Sequence, residues 1–299
     1  MIYDFLFNHI LPSLLFPSLL AALGASIAGG VVGTYIVVKR IVSISGSISH
    51  SILGGIGLTL WIQYRLNIEF PPMYGAIIGA IILALCIGKI HLKYQEREDA
   101  LIAMIWSVGM AIGIIFISQL PAFNSELVNF LFGNILWVTT SDLFRLGILD
   151  VIVLTMVALC HTRFLALCFD EKYMMLSRYS VQTWYFLLLI LAAITIVMLI
   201  YIMGVILMLS MLVLPISIAC RFSYKMVRIM MISVLLNILC SFSGIILAYA
   251  VDFPAGPTIA ILMGGVYTAS LFVKRLLSKS TPSPVSPETN TNVSEGKSF

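Results

Sequence analysis

Charge is what this sequence has least of. Of its 299 residues only 10% are charged while 61% are hydrophobic, and the mean hydropathy is +1.08. Soluble domains carry about a quarter charged residues, so a soluble globule is excluded. The 17 Lys and Arg against 13 Asp and Glu leave a net charge of +4, too small and too scattered for a nucleic-acid surface. No phosphate loop of the form Gly-x-x-x-x-Gly-Lys-Ser/Thr occurs, because Gly88-Lys89 has Leu83 where the upstream glycine belongs. The chain is therefore not expected to hydrolyse ATP by itself. The zinc-protease signature His-Glu-x-x-His and the nucleophile elbow Gly-x-Ser-x-Gly are also missing, which argues against an enzyme. Five cysteines (Cys86, Cys160, Cys168, Cys220 and Cys240) form no Cys-x-x-Cys pair and read as packing residues. No Lys or Arg precedes Lys39. The basic start of a cleavable signal peptide is thus missing, and the first apolar stretch is expected to remain as a membrane helix.

What the chain does have is long apolar runs, at about 11–38, 48–64, 71–90, 99–118, 141–161, 183–202, 204–220, 227–250 and 257–273. A spanning helix needs about 20 apolar residues, so the pattern predicts an all-α polytopic bundle of about nine spans. Residues 1–277 form this transmembrane domain. From Ser278 to Phe299 the composition turns to Ser, Thr, Pro, Asn and Glu, and a disordered tail is expected. Connections rich in Lys and Arg alternate with poor ones. Positive charge marks the cytoplasmic side, which sets the N-terminus outside and the tail inside.

Two stretches depart from simple spans. The run from Thr183 to Cys220 would be about 57 Å long as one helix, so it must break; Gly204 is the natural break, with Pro215 kinking the second half. The segment Ser125 to Val138 is apolar but too short to span, and it predicts a re-entrant or surface helix at the outer mouth.

Polar groups inside spans are costly and therefore informative. In Ile41 to Ser51 (IVSISGSISHS), helical spacing puts Ser43, Ser47, His50 and Ser51 on one face and Ile41, Ile44, Ile48 and Ile52 on another. His50 is either a packing contact or a metal-binding or titrating group on a path. Asp252, in AVDFPAGPT, reads as a turn residue, and Glu126 suits a helix N-terminus. Asp150 is either a partner for Arg145 or a polar contact between helices.

Taken together, four segments in order resemble the membrane permease of bacterial zinc, manganese and iron ABC importers. They are Val37-Val38-Lys39-Arg40 followed by SGSISHS, then FLFGNILWVTTSDL (Phe130 to Leu143), GVILMLSMLVLPISIACRF (Gly204 to Phe222) and DFPAGPTIAIL (Asp252 to Leu262). The resemblance implies a permease subunit in the bacterial cytoplasmic membrane that imports a divalent metal ion by alternating access, with no permanently bound cofactor. It implies a second permease copy or paralogue, a cytoplasmic ATP-binding subunit dimer, and an extracytoplasmic metal-binding lipoprotein or periplasmic protein. By motif, His50 would be the metal ligand, with Ser47 and Ser43 along the metal path. Arg221, Phe222, Ser223, Tyr224 and Lys225 would form the loop that couples to the ATPase, and Gly204 and Pro215 would break or gate their helix. One departure stands out: the family's Asp, four residues before the His, is Gly46 here. The alternative reading is a proton-coupled secondary transporter, with His50 and Asp150 as titrating groups.

Overall fold

The computed structural model describes residues 11–67, 70–93, 98–121, 123–133, 135–177 and 179–279. Among the described residues there are ten α-helices, one 3-10 turn and no strand. In chain order they are α1 (Leu11–Val38), α2 (Val42–Leu66), α3 (Pro72–Lys93), α4 (Glu98–Ser118) and α5 (Phe123–Phe132). The 3-10 turn Ile135–Trp137 follows, then α6 (Thr140–Phe169), α7 (Glu171–Leu176), α8 (Val181–Phe222), α9 (Met226–Val251) and α10 (Ala255–Lys279). Seven of these, α1, α3, α4, α6, α8, α9 and α10, are long and apolar enough to cross a membrane. Their outward side chains are apolar too: Ile78 and Ile82 on α3, Ile112 and Ile115 on α4, and Val151 and Leu159 on α6 are all exposed. The helix α2 has the length, at 25 residues, but carries five serines and a histidine in its first ten positions. It is packed against α3, α4 and α8, as so polar a helix must be if it is to cross.

A straight α8 of 42 residues would be about 63 Å long, twice the roughly 30 Å hydrocarbon core. It does not run straight. Gly204 has φ 78° and ψ 167°, a region essentially reserved for glycine. Before that residue, the Trp184 ring meets Phe164 at 5.9 Å, and Phe164 meets Tyr35 of α1 at 5.3 Å. After it, the Leu212 carbonyl oxygen lies so close to Gly33 of α1 that a Cβ there would stand 2.6 Å away. Gly33 and Tyr35 are neighbours on α1, whereas an unbroken helix would hold Trp184 and Leu212 about 42 Å apart. The chain therefore reverses at Gly204, and each half of α8 crosses separately. Seven helices qualify as spans by length and composition, and α2 together with a second pass of α8 would bring that number to the about nine expected from the apolar runs.

The reversal is covered by protein. Gly133, itself at φ 67°, lies backbone to backbone against Met203 and Gly204. Gly256, at the start of α10, closes on the Phe132 carbonyl. Phe130 of α5 and Ile135 of the 3-10 turn are buried at the same end. The short element expected over 125–138 is this α5 and turn, laid on the charge-poor end of the bundle; the side chain of Glu126 lies outside the described residues.

Pro215 sits inside α8 with the surrounding backbone still helical; Gly204 is where the dihedrals leave the helix. A proline has no N–H to give the carbonyl four residues earlier, here Met211. Asn237 of α9 supplies the replacement, its Nδ2 donating to the Met211 oxygen at 3.1 Å, and the side chain is fully buried. Asp252 ends α9 in a left-handed conformation, φ 58°, with its N–H donating to the Ala248 carbonyl, in keeping with a turn role. At the far end α10 runs through Lys279, two residues beyond the expected end of the domain, and the rest of the expected tail, 280–299, lies outside the described residues.

Because Asn237 answers a carbonyl that Pro215 orphans, the two positions should be energetically coupled. Replacing Asn237 with Leu is expected to cost about 1–3 kcal/mol by leaving that carbonyl unsatisfied. In a Pro215→Ala background, where an intrahelical N–H returns, the same replacement should cost less than half as much. Thermal unfolding of the four proteins of the cycle in detergent measures the coupling, and equal costs in both backgrounds would refute it.

Candidate functional site

The site is an edge of α2, and α4 makes it. The two helices run parallel and in register: the Ser47 hydroxyl donates to the Ile102 carbonyl at 3.1 Å and the Ser51 hydroxyl to the Ile105 carbonyl at 2.9 Å. Side chains this short reach a neighbouring backbone only at close approach. Glycines on α4 allow it; a Cβ on Gly113 would stand 2.5 Å from the Leu53 carbonyl carbon, and one on Gly109 would stand 2.5 Å from Ser51 Cβ. On another side of α2, Ile41, Ile44, Ile48 and Ile52 are buried in the core, where the periodicity places them.

A third edge stays open. Ser43, Gly46, His50, Gly54 and Leu58 recur every three or four residues, and each is at least partly exposed. His50 lies eight residues into α2, about 12 Å along its axis. Its ring stacks on Trp106 of α4, with centroids 4.5 Å apart and planes 10° from parallel. The Nδ1 atom is buried and has no hydrogen-bond partner. One turn earlier, a Cβ added to Gly46 would find no atom within 4 Å, so space opens beside the imidazole on the side where the sequence lacks a carboxylate. An edge of serine, glycine and histidine is poorly matched to hydrocarbon. It suits a water-filled path or the surface of another protein chain.

The polar face read from the sequence is thus divided. Ser47 and Ser51 turn to the α4 backbone, Ser43 is exposed near the start of the helix, and His50 alone of the four presents a nitrogen without a partner. Trp106 carries no sign of this contact in the sequence beyond being an aromatic residue in an apolar run. Among the described residues no three His, Cys, Asp or Glu side chains gather closely enough to hold a metal ion. The described residues of one copy therefore offer a single strong donor at this edge.

The remaining candidates lie elsewhere. Arg145 pairs with Asp142 at 3.3 Å, so Asp150 is not its partner. The Asp150 carboxylate faces α1 instead, where a Cβ on Gly24 would stand 2.8 Å from Oδ2. In the last turn of α8 the Arg221 guanidinium lies over the Tyr267 ring of α10 at 4.7 Å. Ser223 is buried, and its hydroxyl accepts from the Lys225 backbone N–H at 3.3 Å. Phe222 and Lys225 are exposed, and Tyr224, at 94% exposure, projects furthest.

A family model described as the ABC 3 transport family matches residues 12–274. A relative from Chlamydia pneumoniae named "Probable metal transport system membrane protein" is 79% identical over 280 residues, covering 94% of this chain and 96% of the relative. One of the same name from Chlamydia trachomatis is 69% identical over 283 residues, covering 95% and 97%. More distant relatives carry names that specify zinc, manganese or iron. Among solved structures, PsaBC from Streptococcus pneumoniae in complex with Fab superposes with a TM-score of 0.79 at 25% identity, covering 93% of this chain and 98% of that one.

The α2–α4 contact is open to test. Ser51→Ala removes one interhelical hydrogen bond and is expected to cost about 0.5–1.5 kcal/mol. Gly109→Ile, which drives a branched side chain into Ser51, should lower the melting temperature more than Ser51→Ala does. Equal melting temperatures for Gly109→Ile and the parent protein would show that the helices do not depend on this approach.

Proposed function

The chain belongs to the ABC 3 transport family, and we propose that it is the membrane permease subunit of an ATP-binding cassette importer that moves a divalent metal ion, zinc, manganese or iron, into the cytoplasm. The observation that carries this reading is the uncovered edge of α2 with the unpartnered His50 nitrogen. Two copies, or this chain and a paralogue, would face one another across that edge, so that the path receives a donor from each. Neutral imidazole is a good ligand for zinc, manganese and iron alike. With Gly46 in place of an acid, the donor set carries no negative charge at this turn, and a dication held only by neutral groups is held loosely. Weak binding suits a transit site, because conduction needs a site that the ion can leave. Ser43 would add a neutral oxygen on the way out, while Ser47 keeps α2 seated on α4 rather than meeting the ion.

The positive-inside bias orients the subunit with Arg163, Arg221, Lys225 and Arg228 at the cytoplasm. Metal would be delivered from the opposite side by an extracytoplasmic metal-binding protein. ATP would be hydrolysed by a separate cytoplasmic ATP-binding dimer, since the chain has no phosphate loop. Of the five residues of the coupling segment, Phe222, Tyr224 and Lys225 are exposed, and the two aromatic rings would dock that dimer. Alternating access would pivot about the Gly204 reversal.

Metal uptake in proteoliposomes holding the permease with its ATPase tests both halves. His50→Ala is expected to lower uptake at least tenfold while the ATPase still co-purifies. Tyr224→Ala should instead weaken co-purification. Uptake unchanged by His50→Ala would remove the residue from the path.

A further inference from the structure

On the side of the bundle formed by α1, α6 and α9, an open groove of about 890 Å³ runs along the membrane-facing surface. Its walls include Ile27 of α1, Leu154 of α6, and Met231 and Leu235 of α9, and among the described residues the only polar side chains on it are Lys225 and Arg228. From the geometry, we infer that this groove is a binding site for an anionic phospholipid, with one acyl chain in the groove and the headgroup phosphate on Lys225 and Arg228.

Three observations lead to that occupant. The first is depth. The groove extends along α9 from Arg228 to Ile238, ten residues or about 15 Å of helix, which is half of a roughly 30 Å hydrocarbon core. It spans one leaflet, and its mouth lies at the basic end, which the positive-inside bias sets at the cytoplasm. The second is charge. Both cations are exposed, and neither makes an ion pair or side-chain hydrogen bond among the described residues. Among the described residues no carboxylate lines the groove. Nor do these cations serve their own helix: they stand at the N-cap and in the first turn of α9, which holds no acidic residue, where positive charge opposes the helix dipole. Basic positions between spanning helices at this depth attract anionic headgroups. The third is location. None of the three helices of the groove is α2 or α4, so a second copy seated on the His50 edge would leave the groove to the bilayer. The volume lies within the range of ligand-holding clefts, and the apolar walls accept a hydrocarbon chain but cannot choose among lipids. The two cations make the choice.

Native mass spectrometry of the full chain, extracted in mild detergent and offered equal amounts of phosphatidylglycerol and phosphatidylcholine, tests the site. One phosphatidylglycerol should be retained per chain at about tenfold or greater preference. Lys225→Ala with Arg228→Ala should abolish the preference, and Leu235→Trp, which fills the groove, should lower retention of either lipid. Melting temperature should rise with phosphatidylglycerol in the parent protein and not in the double variant, which reads the same binding without dissociating the protein into the gas phase. Equal retention of phosphatidylcholine, undiminished preference in the double variant, or the same thermal shift from inorganic phosphate alone would each overturn the proposal. So would a disulfide-linked dimer formed by Leu235→Cys in membranes, which would give the groove to a second copy.

Discussion

Hydrocarbon offers a backbone N–H or carbonyl no hydrogen bond, so every interruption of a spanning helix has to be covered or answered by protein. Much of this fold follows from that constraint. Gly204 breaks α8 where Gly133, Phe132 and Gly256 close over it. Pro215 frees the Met211 carbonyl where Asn237 reaches across from α9. The small element between α4 and α6, too short to span, has its place because the reversal of α8 needs a cover.

The same constraint governs α2. Its serines would be costly in lipid as free hydroxyls, and the structure spends Ser47 and Ser51 on the backbone of α4. What is left on the open edge is a histidine nitrogen with no partner, braced by the Trp106 ring. On this one helix the buried hydroxyls all have partners and the imidazole nitrogen does not, and the loosely held transit site proposed for His50 depends on that contrast along α2.

Much of this was legible in the sequence. The apolar runs fixed the crossings because a helix long enough to span has a length that loops cannot imitate, and the excess length of α8 forced a break whose position glycine marked. The Ile41, Ile44, Ile48 and Ile52 face was equally plain, since burial follows helical periodicity directly. The division of the polar face was not legible. Ser47 and His50 are three residues apart and share a side of the wheel, and both meet α4; that Ser47 bonds to its backbone while His50 only stacks on Trp106 depends on the close approach at Gly109 and Gly113, some sixty residues away in the chain. Asn237 was hidden for a similar reason: Pro215 announces an orphaned carbonyl at Met211, but nothing local tells which helix will bring the donor. Asp150 could be paired on paper with Arg145 only until Asp142, one turn before that arginine, was seen to hold it.

The reversal at Gly204 has a consequence for how the protein is made. Both halves of α8 leave the ribosome as one apolar stretch, with Tyr-Ile-Met-Gly-Val-Ile at the apex and no polar loop that could rest in water at the far side. The pair therefore has to enter the bilayer as a hairpin. Its tip docks on Gly133, synthesised earlier, but is closed by Gly256 only when the last helix arrives. Until then the tip lacks that cover, so a chain halted before α10 holds its reversal against Gly133 alone.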